Sequence, residues 1–201
     1  DWWGAMNSCS ILEVFVRLFN LTQKKKYLDF AEYIINKGFC RQLNLIDACL
    51  AKTYYPYQFP STKAYEMMSC FEGLLEYYRI KKVDKFLLAV ENFVDMVKET
   101  DLSIIGCSGC THELFDNSAV KQTEPAPEFI MQETCVTVTW MKLCYNLLKL
   151  TGKAKYAKLI EQSGYNALLG SVNRNLNDLV FCQNQTPDFN KGVKYIFDSY
   201  S

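Results

Sequence analysis

The sequence predicts an all-α fold, a row of helical hairpins that forms about half of a larger helical toroid. Three similar segments indicate this, ILEVFVRLFNLTQKKKYLDFAEYII from Ile11, CFEGLLEYYRIKKVDKFLLAVENFV from Cys70 and WMKLCYNLLKLTGKAKYAKLIEQSGY from Trp140. Each is typical of a helix, a short polar turn and a second helix. Three hairpins cannot close a ring, and an open row would leave apolar helix faces exposed at both ends.

The three segments share one register. An apolar residue before the turn, an aromatic residue after it and a glutamate further along recur in each copy: Leu21, Ile80 and Leu150; Tyr27, Phe86 and Tyr156; Glu32, Glu91 and Glu161. We expect hairpins over about 8–37, 64–99 and 134–170, within a single partial barrel domain that covers 1–201. The copies are further apart in sequence than the repeats of stacked helical solenoids, and the additional residues lie in the connections between the hairpins.

Two long connections separate the hairpins. The longer one, 101–132, is rich in Gly, Ser, Pro and polar residues, and long connections at one end of a helical array are common places for functional sites. The other, 53–62, reads TYYPYQFPST, and its aromatic side chains could stack on sugar rings or fill a groove between helices. We assign VTVT at 136–139 to a helix, because its apolar run is too long for a strand, and expect minor β structure at 193–197.

Composition excludes several classes of partner. The 22 basic and 22 acidic side chains balance, and no basic stripe is present. We therefore expect no nucleic-acid partner. The apolar runs are short and interrupted by charges, so no membrane span is expected. The chain opens without Met and without a leader, which indicates either processing or a fragment.

Nine cysteines are scattered along the chain, and several fall within apolar helical patterns. An odd number at irregular spacing makes a disulfide framework unexpected. This favours a reducing compartment weakly, and leaves the location open between cytoplasm and periplasm. Cys107 and Cys110 form one Cys-x-x-Cys, which is only half of a structural zinc site and lacks the strand context of a redox motif.

Two places could carry chemistry. In the 101–132 connection, Glu113 follows His112 and could be a proton donor or a solvated loop carboxylate. Further on, Glu133 and Cys135 stand two residues apart before a helix. Residues i and i+2 of a helix point about 200° apart, so this pair could share a metal ion only where the backbone is extended or just entering the helix. Thr134 is the expected N-cap; otherwise the pair is a capping Glu and a buried Cys.

Several motifs together resemble the β-L-arabinofuranosidase glycoside hydrolases of family 127 and the related family 146. They are SILEVFVRLFNLTQKKKYLDFAEYI, YEMMSCFEGLLEYYRI, GCTHELF, QETC and LTGKAKYAKLIEQSGYNALLG. The resemblance implies an (α/α)6 barrel and an enzyme that releases terminal β-L-arabinofuranose from plant-type glycans with retention of configuration. It also implies zinc, held by one Glu and three Cys, one of which is the nucleophile.

The resemblance assigns roles to three residues. Glu133 and Cys135 look like two of the zinc ligands, and Glu113 looks like the general acid and base. From its position beside Glu113 alone, we expect His112 to contact the sugar, and we also expect Tyr200 to bind substrate. The other two ligands, including the nucleophile, belong to a vicinal Cys-Cys stretch beyond the end of this chain. We therefore expect the 201 residues alone to be inactive.

Two alternatives stay open. The chain could belong to a non-catalytic carbohydrate-binding or scaffold protein that uses Trp2, Trp3 and the 54–59 loop. It could also belong to a different toroid enzyme, such as an epimerase. Such enzymes rely on His or Asp residues, and a single histidine here makes this alternative the weakest.

Overall fold

The computed structural model describes residues 3–109, 113–121, 123 and 133–171. The predicted all-α class is confirmed, since regular structure in this part is helical and the β pairing consists of two isolated bridges. The helices are α1 (Met6–Cys9), α2 (Leu12–Thr22), α3 (Lys25–Lys37), α4 (Leu45–Ala51), α5 (Ala64–Lys81), α6 (Asp84–Thr100), α7 (Ser118–Lys121), α8 (Thr134–Thr151) and α9 (Ala154–Gln162), with a 3₁₀ turn at Pro56–Gln58 and a π-helical turn at Ser163–Leu168. The expected β structure at 193–197 lies outside the described residues.

The three hairpin turns have the same geometry. The residue after the first helix is left-handed in every copy, at Gln23, Lys82 and Gly152. Its N–H donates to the carbonyl four residues back at 2.8 Å in all three turns. The next residue has an extended backbone and is the N-cap of the second helix, which begins directly after it. A left-handed C-cap satisfies a terminal carbonyl and reverses the chain, so the sequence repeat is a repeat of structure.

The first helices of the hairpins pack side by side, with α2 and α8 on either side of α5, and each contacts the second helix of its own hairpin. The central helix α5 is buried over most of its length. Gly73 permits the close approach of α2, because a Cβ there would lie 2.7 Å from Leu12 Cβ and from Glu13 N. A larger residue would push α2 away from the layer.

The repeated glutamates connect neighbouring hairpins. Glu32 accepts a hydrogen bond of 3.0 Å from the Tyr77 hydroxyl in the next hairpin. Glu91 likewise accepts one of 3.0 Å from the Tyr156 hydroxyl. The glutamate of one copy thus binds a tyrosine of the following copy, which helps to fix the angle between hairpins.

A charged cluster also joins the first helices. Lys142 of α8 contacts Glu72 of α5 and Glu13 of α2, with its Nζ 2.9 Å from a carboxylate oxygen of each. Glu72 is only 1% exposed, and its second oxygen makes no hydrogen bond within the described residues. Burial raises the pKa of Glu72 to about 7, although the Lys142 ammonium opposes the rise.

We expect Glu72→Gln to flatten the dependence of stability on pH. Because the folded-state pKa of Glu72 lies above its ordinary value of 4.5, its contribution to stability is fully present below about pH 4.5 and is lost as pH rises through about 7. The wild type should lose on the order of 1–3 kcal/mol relative to the variant over this window. Urea unfolding from about pH 5 to about pH 8 measures the difference.

Glu76→Gln is the control for this prediction. Glu76 lies one turn along α5, and its more exposed side chain pairs with Arg17 and Arg79. Because this variant retains Glu72, it should keep the fall in stability that Glu72 causes between about pH 5 and about pH 8. A Glu72→Gln curve that runs parallel to that of the wild type would contradict the expectation that burial dominates at Glu72.

Candidate active site

Glu113 is held by a short antiparallel pairing with the start of α5. The Ala64 N–H donates to the Glu113 carbonyl at 2.8 Å, and the Phe115 N–H donates to the Thr62 carbonyl at 2.8 Å. Phe115 is buried in the core and anchors the segment. The 113–115 part of the 101–132 connection is therefore fixed to the N-terminal end of a central helix rather than free in solvent.

The Glu113 carboxylate forms an ion pair with the Lys63 ammonium. The two side chains are 23% and 12% exposed, so the pair is partly removed from water. Lys63 Nζ also lies 5.2 Å from the ring centroid of Trp3. The geometry disagrees with a freely solvated loop carboxylate and places Glu113 in a partly buried, charged setting.

Asp101 organises the backbone that follows Glu113, and our sequence analysis did not identify it. It lies just after α6 and is 0% exposed. Its Oδ1 accepts the N–H groups of Asp116 and Asn117 at 2.8 Å and of Ser118 at 3.3 Å. Burial raises the pKa of Asp101, while these bonds and one from the Thr100 hydroxyl oppose the rise.

The first part of the connection is a tight turn docked on the last described helical segment. The Ser163 hydroxyl donates to the Gly106 carbonyl at 2.7 Å, and the Ala167 N–H donates to the Ile105 carbonyl at 3.2 Å. Gly106 has a φ of +86°, and a Cβ there would lie 2.8 Å from Ser163 Cα. Both the backbone conformation and the close contact therefore require glycine.

The Glu133 and Cys135 pair lies at the entrance of α8. The prediction of Thr134 as the N-cap is wrong by one residue, because α8 begins at Thr134. The Glu133 carbonyl accepts the first helical bond from the Thr137 N–H at 3.2 Å, and Glu133 itself has an extended backbone with φ −65° and ψ 126°. Since Glu133 is extended rather than helical, the 200° separation expected within a helix does not apply to this pair.

The interpretation of Glu133 as a capping glutamate also fails. Glu133 occupies the N-cap position, but its side chain makes no capping hydrogen bond and is 1% exposed. Cys135 is half-buried. Cys107 packs against the same turn, where the Thr137 hydroxyl donates to its sulfur at 3.0 Å. The start of α8 therefore carries the buried Glu133 carboxylate and also contacts the 101–109 segment through Cys107.

Comparison with known proteins decides the family. The family model described as "Beta-L-arabinofuranosidase, GH127 catalytic domain" matches residues 5–187. The chain belongs to this family. A solved structure named "Glycoside hydrolase" is similar with a TM-score of 0.54 and 16% sequence identity. At that identity the likeness shows the fold alone.

The GH127 chain is much shorter than that solved relative. The similarity covers 79% of this chain but 29% of the other. A search of curated proteins found no match. Within the described part, no helix combines the length and apolar character needed to cross a bilayer.

The donor types at the start of α8 fit zinc, but they do not complete a site. A carboxylate and a thiol are both ordinary zinc ligands, and structural and catalytic zinc sites use three or four protein ligands. In the described ranges, no three His, Cys, Asp or Glu side chains are grouped so as to hold a metal ion. A zinc site at Glu133 and Cys135 would need further ligands from outside those ranges. Cys110 and Cys182 both lie there.

Two sugar-contact residues of the sequence analysis, His112 and Tyr200, also lie outside the described residues, as does Trp2. The aromatic loop is described, and its Phe59 is buried in the core. Tyr55 and Tyr57 stack on each other with centroids 6.2 Å apart and pack against that core, while Tyr54 is exposed. This loop therefore mainly fills a groove between helices.

Proposed function

We propose that the intact protein containing this chain is a glycoside hydrolase that releases terminal β-L-arabinofuranose, or a similar pentofuranose, from plant-type glycans. The observation that carries the proposal is the GH127 catalytic-domain match over residues 5–187. The partly buried carboxylate of Glu113 beside the start of α5 is consistent with proton transfer in a glycosidase.

In a retaining reaction, one group acts first as acid and then as base. Glu113 would give a proton to the glycosidic oxygen as the aglycone leaves. Its carboxylate would then take a proton from the water that attacks the anomeric carbon. The pairing with Thr62 and Ala64 keeps the backbone of Glu113 fixed through both steps.

Glu133 and Cys135 would hold zinc in this proposal, together with ligands beyond the described residues. Bound zinc would keep a ligating thiol ionised at neutral pH, which allows a cysteine to serve as nucleophile. On the resemblance alone, we propose that this nucleophile belongs to a Cys-Cys stretch of the intact protein that is not among the 201 residues of this chain. A bound zinc ion would offset the free-energy cost of burying the Glu133 carboxylate.

We expect Glu113→Gln in the intact protein to lower hydrolysis of an aryl β-L-arabinofuranoside by roughly 10²-fold or more, with zinc content unchanged. Glutamine keeps the shape of the side chain but cannot transfer the proton. The loss should be larger for an alkyl glycoside than for a nitrophenyl glycoside, because a good leaving group needs less acid assistance. Kinetics with both substrates measure this difference.

Glu161→Gln, on the exposed surface of α9, is the control and should retain full activity. An equal loss on both substrates would contradict the acid role of Glu113. A wild-type protein without zinc or hydrolysis, but with measurable sugar binding, would instead support the carbohydrate-binding alternative.

A further inference from the structure

We propose that Lys63 is a positioning residue for Glu113, holding its carboxylate at the start of α5 and favouring the ionised form that the water-activating step requires. The proposal rests on the proposed function, because it gives Lys63 a role in the cycle of Glu113. No motif in the sequence connects these two residues, which are brought together only by the pairing of 113–115 with 62–64.

The contacts of Lys63 fit a role in holding the Glu113 carboxylate. Its side chain is 12% exposed, and its ammonium lies between the carboxylate of Glu113 and the indole face of Trp3. An ammonium with little access to water interacts more strongly with a neighbouring charge than an exposed one does. The α5 backbone begins at Ala64, and the Lys63 side chain makes no capping bond, so its head group is not required for helix initiation.

Other charged groups lie near this pair in the described part. Glu66 follows Lys63 by one turn in the first turn of α5, and its Oε2 is buried. Asp116 follows on the same loop, where it pairs with Lys121 at 3.1 Å and with the Ser118 hydroxyl. Asp101, at the end of α6, directs its carboxylate to backbone N–H groups of 116–118. Trp3 adds an aromatic ring and no charge. His112 precedes Glu113 in the sequence and lies outside the described residues.

The ion pair has opposite effects on the two half-reactions. It favours the ionised carboxylate, which the second step needs. In that step Glu113 removes a proton from water, the water oxygen bonds to the anomeric carbon, and the enzyme nucleophile departs with its electron pair. The ion pair disfavours the protonated form that must first donate to the glycosidic oxygen. Lys63 should therefore limit the alkaline end of the active pH range, while assisting turnover of the second step.

The test is a titration of Glu113 in the intact protein. Carbon NMR of protein labelled at the glutamate carboxyl carbons gives the titration midpoint, and the Glu113 signal is assigned by its absence in Glu113→Gln. In Lys63→Met we expect the midpoint to rise by about one pH unit or more. Lys63→Arg keeps the charge and should remain within a few tenths of a unit of the wild type.

Lys121→Met is the matched control, because it removes a lysine at the end of α7 that pairs with Asp116 instead. It should leave the Glu113 midpoint near the wild-type value. Lys63→Gln replaces the Met variant if the latter fails to fold. An unchanged midpoint in the folded Lys63 variants would overturn the proposal.

Activity provides the second readout and separates the two proposals. The alkaline limb of the pH profile of kcat/KM should move upward in Lys63→Met by the same amount as the midpoint, while Lys63→Arg retains the wild-type limb. An active wild type whose limb does not move in Lys63→Met would overturn the role of Lys63 alone. A third result is also possible: the wild type hydrolyses no arabinofuranoside, but the Glu113 midpoint still shifts in Lys63→Met. This result would overturn the proposed function and leave the electrostatic role of Lys63 supported.

Discussion

Replacing Cys135 with serine in the intact protein is expected to remove bound zinc and to lower hydrolysis of an aryl β-L-arabinofuranoside by roughly 10³-fold or more. A thiolate is a strong, soft ligand for zinc, whereas a serine hydroxyl is neutral and binds weakly. Cys135 is half-buried in the first turn of α8, so serine fits the same space with little change in packing. Zinc per chain, measured by elemental analysis after gel filtration, and steady-state kinetics give the two results.

The control for this prediction is Cys144→Ala on the same helix. Cys144 is fully buried in the core and lies about two and a half turns along α8 from Cys135, away from the helix entrance. This variant should keep its zinc and its activity, with a modest loss of stability. If Cys135→Ser also kept both, Cys135 would be a structural cysteine at a helix entrance.

Glu133→Gln tests the other half of the pair. Because the Glu133 side chain makes no capping bond, the substitution should leave α8 intact while replacing the carboxylate that we propose to bind zinc by a neutral amide. Loss of zinc from both variants would support a shared site. Loss from only one would show that the two residues act separately.

The hairpins were predictable because their signals are local. Each turn depends on a left-handed residue, such as Gly152, followed by an extended one, and the apolar spacing on either side repeats in each copy. The helix through 136–139 was recognised because its apolar run is too long for a strand, although its β-branched residues favour one. The start of α8 was misplaced by one residue because Thr134 is a better N-cap by residue type than Glu133.

The contacts of the candidate site were not predictable in the same way. Lys63, the ion-pair partner of Glu113, lies 50 residues away in sequence, and neither Lys63 nor Asp101 belongs to a motif. Three of the partners of Asp101 are backbone N–H groups, which leave no trace in the sequence. By residue type Phe59 suits sugar stacking and groove filling equally, and only its burial distinguishes the two roles.

Asp101 leads to the second large prediction, in which Asp101→Ala destabilises the protein by about 2–4 kcal/mol. The substitution removes the acceptor of three backbone N–H groups in a part-buried loop and of the Thr100 hydroxyl. Unpaired donors then remain in a poorly hydrated place. The segment that carries Glu113 should loosen as well, so kcat should fall more than KM changes. Urea unfolding and kinetics of the intact protein measure both effects.

Asp101→Asn separates the geometry of this contact from its charge. The amide oxygen can still accept hydrogen bonds from the loop N–H groups. The amide NH₂ can donate to the Thr100 oxygen, because the Thr100 hydroxyl can donate its own hydrogen to the Met96 carbonyl at 3.1 Å. We therefore expect a loss of about 1 kcal/mol or less. Asp95→Ala, an α6 carboxylate in an exposed pair with Lys155, should change stability by about 0.5 kcal/mol at most. If the Ala and Asn variants of Asp101 were equally unstable, negative charge rather than hydrogen bonding would hold the Glu113 loop in place.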